Sequence, residues 1–63
     1  MNEAQLVAKM YALYSTTYLI HMSDATEASL LNMQLRTLTG KMYLDYTHEQ
    51  VLTLIAEAAL LID

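Results

Sequence analysis

The stretch spanning residues 38–51, LTGKMYLDYTHEQV, decides the architecture. Gly40 is the sole glycine of the chain, and proline is absent. A glycine placed directly after a long run of periodic apolar residues marks a helix end, because the left-handed turn that follows is cheap only without a Cβ. Further on, Thr47 and Gln50 make a T-x-x-Q pattern. In it the threonine hydroxyl accepts the third helical N–H and the glutamine reaches back to the threonine N–H. Tyr46 before this box and Val51 after it have the spacing of a hydrophobic staple. One helix therefore closes near residue 39 and another opens at 47. Lys41–Tyr46 joins them, either as a short extended piece or as a single helical turn.

Upstream of Gly40 the pattern predicts a helix over 24–39. Asp24 and Glu27 have the spacing of an acidic capping box and suit the positive end of the helix dipole, while Arg36 and Lys41 lie near the negative end. Ala28, Leu31, Leu35 and Leu38 recur as a core stripe. Leu30, Met33 and Thr37 make a second stripe on a different side. Ser29, Asn32 and Arg36 separate the two on one edge; Glu27 and Gln34 separate them on the other. Such a helix can bury one stripe in its own domain and offer the other to a partner.

Downstream, a helix is expected over 47–62. Val51, Leu54, Ile55, Ala58, Leu61 and Ile62 form its inner face, and Glu49, Gln50, Thr53 and Glu57 its outer one. Leu60 interrupts the polar side. Ala56, Ala58 and Ala59 permit close helix approach.

The first helix is expected over 3–22. Leu6, Met10, Leu13, Thr17 and Ile20 form one stripe, and Val7, Tyr11, Tyr14, Tyr18 and His21 an adjacent one. Together they cover about half the circumference, leaving Gln5, Lys9 and Thr16 on the polar side. One neighbouring helix cannot cover so wide a face, so this helix should touch two or more neighbours, whether all from its own chain or some from another. Residues 14–22 also admit a strand, since Thr16, Thr17, Tyr18 and Ile20 are poor helix formers. Helix is preferred because the stripe starts at Leu6 without a break signal. The expected fold is thus an all-α, single three-helix domain over 1–63, assembled as a homodimeric helical bundle.

Composition bounds the function. Seven acidic and three basic side chains give a net charge of −4, and 56% of residues are apolar. That exceeds the roughly 45–50% of ordinary soluble domains. A small chain with apolar surface to spare turns it toward a second copy or a partner's groove. No cysteine is present, so neither a disulfide framework nor a thiolate zinc site can form. The longest charge-free run, Met10–Ser23, falls short of the ~20 apolar residues of a membrane span. The N-terminal residues lack a signal-peptide pattern, and the expected location is cytoplasmic.

Chemistry-bearing constellations are sparse. His21 and His48 have no H-x-x-x-H spacing, and no metal or cofactor is expected. His48 falls in the first turn of a helix, and His21 at the polar end of an apolar stripe. Glu49 and Glu57 lie on a solvated face, and Ser15, Ser23 and Ser29 have no nucleophile-elbow context. A helix-turn-helix alignment on Gly40 puts Arg36 where a small buried residue belongs, and gives an acidic recognition surface. Neither catalysis nor nucleic-acid binding is expected. The expected role is that of a small regulatory or adaptor protein contacting itself and another protein, with a purely structural self-assembling subunit as the alternative. Ranked behind it is a peripheral membrane protein using the first helix as an interfacial helix, or a DNA-associated regulator. Tyrosine, with apolar area and a polar tip, suits such contacts. Tyr11, Tyr14 and Tyr18 are the candidates on the first helix, with Leu30 and Met33 on the second and Leu60 on the third. Met10 and Met33 also suit core filling.

Overall fold

The computed structural model describes residues 1–15 and 22–61. Helix α1 spans Glu3–Ser15, α2 Met22–Thr39 and α3 His48–Leu60, with a 3₁₀ turn at Tyr43–Asp45 between the last two. No strand occurs among the described residues. Helix α1 is the shared layer: it packs against both α2 and α3, while those two barely touch each other. This is how the wide apolar face of α1 is satisfied, and both neighbours come from the same chain.

Local chemistry sets the helix ends. Asn2 caps α1 through an N-x-x-Q box, its Oδ1 accepting the Gln5 N–H at 2.9 Å while Gln5 Oε1 accepts the Asn2 N–H at 3.0 Å. At the end of α2, Gly40 takes φ +79° and donates its N–H to the Arg36 carbonyl at 2.9 Å. That is the single bond of a left-handed glycine cap. The Thr39 hydroxyl donates to the Leu35 carbonyl at 2.9 Å and accepts the Lys41 N–H at 3.1 Å, steering the chain out of the helix. Asp45 accepts the Met42 N–H at 2.9 Å, and Asn32 of α2 accepts the Tyr43 N–H at 2.8 Å, so the connector is pinned to α2. Of its two expected forms, the connector is the helical turn.

The T-x-x-Q box forms as expected. Thr47 Oγ1 accepts the Gln50 N–H at 3.1 Å, and Gln50 Oε1 accepts the Thr47 N–H at 2.9 Å. Thr47→Ala is expected to lower stability by about 1 kcal/mol, read as a drop in the thermal midpoint.

Leu6, Val7, Met10, Leu31, Leu35 and Val51 form the core cluster, with Tyr11, Leu13, Tyr43, Tyr46, Leu54 and Ile55 packed around it. Every helix contributes, and among the described residues no polar side chain is fully buried.

Several expectations are corrected. Helix α2 starts at Met22, so Asp24 is already helical and is not the N-cap. Glu27 instead pairs across the helix interface with Lys9 at 3.1 Å. Met22 therefore belongs to α2 and not to the first helix. Thr16, Thr17, Tyr18, Ile20 and His21, placed on that first helix by the sequence pattern, lie outside the described residues, as does Ile62. Leu38 does not join the core stripe; it is 56% exposed, because the start of α1 reaches it only as the far wall of a cleft. Leu61 leaves the inner face of α3 because it is the C-cap, past the last helical residue. Met33 does not fill the core, since it lies off the buried stripe of α2 and is 62% exposed.

Candidate interaction surface

The two stripes of α2 separate as their spacing requires. Ala28, Leu31 and Leu35 are buried, whereas Leu30 and Met33, on the roughly opposite side, are more than half exposed. Thr37 continues this outer face and donates its hydroxyl to the Met33 carbonyl at 2.9 Å, so it brings no unmet donor to the surface. Beside the face runs an open cleft of about 460 Å³, lined by Met1, Leu6, Met33, Gln34, Thr37 and Leu38. Its walls are the start of α1 and the last turns of α2. Thr26, Leu30, Met33 and Thr37 form a narrow uncharged strip along this side, with Glu27 on one edge and Arg36 on the other, on a chain whose net charge is −4.

The tyrosines behave differently. Tyr14 is 41% exposed, yet its ring stacks on Tyr43, with centroids 5.2 Å apart and planes 24° apart. Tyr11 packs half-buried against the core. Burial raises the Tyr43 phenol above its ordinary range, and the phenols of Tyr11 and Tyr14 raise it further. Tyr46 donates its hydroxyl to the Glu3 carboxylate at 2.5 Å, and Lys41 Nζ lies 5.2 Å from the centre of its ring. Burial and the bond to Glu3 both push the Tyr46 phenol up. Four of the five tyrosines therefore knit α1 to the connector. Tyr18, the remaining one, lies outside the described residues.

This cluster has a pH consequence. A phenol whose pKa is raised by folding holds its proton where the unfolded chain has released it. Its stabilisation is complete below about pH 10, the unfolded value, and is lost as pH rises through the higher folded value. Thermal midpoints should therefore fall progressively above pH 10. Tyr46→Phe, which has no proton to lose, should flatten that slope in melts followed by circular dichroism.

Leu60 is 84% exposed, in line with its place on the polar side of α3. The sequence pattern missed Leu44, which is 89% exposed at the 3₁₀ turn, and Leu52, which is 47% exposed on α3. Leu44 could have been found, since it sits between two tyrosines that both turn inward and a tight helical turn cannot bury all three. His48, Glu49 and Glu57 are exposed. No set of three His, Asp or Glu residues among those described converges on a possible metal position. No described helix is long and apolar enough to cross a membrane. Comparison with known protein families, curated proteins and solved structures finds no match.

Proposed function

We propose that this protein is a small non-enzymatic regulator or adaptor that works through protein contacts, and that the outer face of α2 is its principal contact surface. The observation that carries the reading is the position of Leu30 and Met33. They project from a helix whose other side is already committed to the core, so their burial is available only to an incoming surface. Fully burying a leucine or methionine side chain contributes about 1.5–3 kcal/mol. The adjoining cleft offers a seat for one apolar side chain of the partner. Leu60, with Leu52 and the C-cap residue Leu61 near it on α3, and Leu44 at the connector serve as secondary contacts.

Affinity capture from the source cells tests this, using the wild-type chain beside Leu30→Glu/Met33→Glu. The expected result is a reproducible protein partner that the double variant loses while its helical spectrum is unchanged. A partner retained equally by the variant would move the contact elsewhere on the surface. A chain with no reproducible partner other than itself would favour a purely structural, self-assembling role.

A further inference from the structure

We infer that the outer face of α2 pairs with the same face of a second copy, antiparallel, about a two-fold axis passing between Leu30 and Met33. This rests on the contact-surface reading above and takes a second copy, in exchange with any other protein partner, as an occupant of that face.

The first support is the order of side chains along the face. Thr26, Leu30, Met33 and Thr37 follow a 4-3-4 spacing, which is the seam of two packed helices. Their polarity is the same read in either direction, polar at the ends and apolar in the middle. Reversing one copy sets Leu30 against Met33 of the second copy and Thr26 against Thr37 of the second copy. A two-fold interface requires this kind of self-complementary patch.

The second support lies on the flanks. In an antiparallel pair, each edge of the seam meets the same edge of the other copy. Glu27, whose Oε1 holds Lys9 of its own chain, then faces Gln34 of the second copy, whose amide N–H can donate to the remaining carboxylate oxygen. Arg36 faces Ser29 of the second copy, whose hydroxyl can accept from the guanidinium. A parallel pair would align the two helix dipoles, which opposes it. The absence of charge along the seam matters for the same reason. Two copies of a −4 chain repel each other, and this face keeps like charges out of direct contact.

Size sets the strength. The seam from Thr26 to Thr37 is about 18 Å long at the helical rise. This is shorter than most interfaces that bury the usual ~800 Å² per partner. The dimer should therefore be reversible, forming in the micromolar range or above.

The lack of native cysteine makes the test direct. Thr26→Cys and Thr37→Cys proteins are oxidised separately and as a mixture, and sedimentation equilibrium follows the cysteine-free chain from about 10 µM to about 1 mM. The expected result is a disulfide-linked heterodimer in the mixture and no homodimer of Thr26→Cys. The antiparallel pairing separates those two positions by about 16 Å along the axis, beyond the ~7 Å reach of a disulfide. The cysteine-free chain should show a monomer–dimer equilibrium, and Leu30→Glu should weaken it at least about tenfold with an unchanged helical spectrum. A Thr26→Cys homodimer would overturn the antiparallel geometry. A monomer throughout the series would overturn self-pairing altogether. It would leave the contact-surface reading to be decided by capture, since loss of a different partner in Leu30→Glu/Met33→Glu would still support it.

Discussion

Replacing Leu35 with alanine is expected to remove a large share of the domain's stability and to lower its thermal midpoint by at least about 8 °C. Leu35 is fully buried in the cluster shared by all three helices. Removing its isobutyl group costs the transfer free energy of the lost methyl and methylene groups, plus a cavity that fixed helices cannot close, about 2–5 kcal/mol together. A chain of this length has only about 3–9 kcal/mol of stability to lose. Each kilocalorie is worth about 4–8 °C of thermal midpoint in so small a domain. Leu38→Ala, one turn away on the same nominal stripe, should move the midpoint far less, because Leu38 is 56% exposed. Parallel melts of the two variants check the assignment of that stripe. Equal losses would mean that α1 covers both positions.

A carboxylate placed at Val7 should be still more damaging. Val7 is fully buried on α1, within the cluster that α1 builds with α2 and α3. An unpaired charge there costs about 3–5 kcal/mol, which is comparable with the whole stability of the domain. Val7→Asp should therefore lose its cooperative melt at pH 7. The sign of the pH effect follows from linkage. Burial raises the folded pKa of the new carboxyl, so the loss is smallest near its unfolded value of about 4 and grows as pH rises above it. Val7→Asn, which does not titrate, supplies the control. A difference between the two variants that is independent of pH would mean that water reaches this position.

Much of this fold can be read from punctuation and periodicity. Gly40 and the Thr47–Gln50 box set the end of α2 and the start of α3 without help from tertiary context, because a positive φ and a reciprocal cap are local requirements. The width of the apolar face on α1 correctly called for two neighbours. It could not say whether they belonged to one chain, since periodicity carries no information about connectivity. The capping pattern at Asp24 misled for a related reason. Glu27 has two possible uses, and the one that prevails, pairing with Lys9, depends on how α1 and α2 lie side by side.

The candidate surface shows the same division. Leu30 and Met33 were legible because two stripes on one helix cannot face the same neighbour. Tyr11 and Tyr14 were harder, because tyrosine is equally suited to an interface and to a core margin, and only the stacking on Tyr43 places Tyr14 within the chain's own packing. Met10 and Met33 are alike in sequence terms, yet one is fully buried and the other 62% exposed. The Asn2–Gln5 box was available in the sequence, but asparagine as the cap followed by glutamine is a less familiar form of the same reciprocal chemistry.

The central claim is that the three helices complete the core within one chain and leave the outer face of α2 outside it. The most direct test is the melt of Leu30→Glu/Met33→Glu at about 1 µM, a dilution at which a short seam should be dissociated. The expected result is a helical spectrum like that of the wild type and a midpoint within about 8 °C, since substitutions at exposed positions cost about 0.5 kcal/mol each or less. Loss of the cooperative transition would contradict the claim, because it would place Leu30 and Met33 inside the structure on which folding depends.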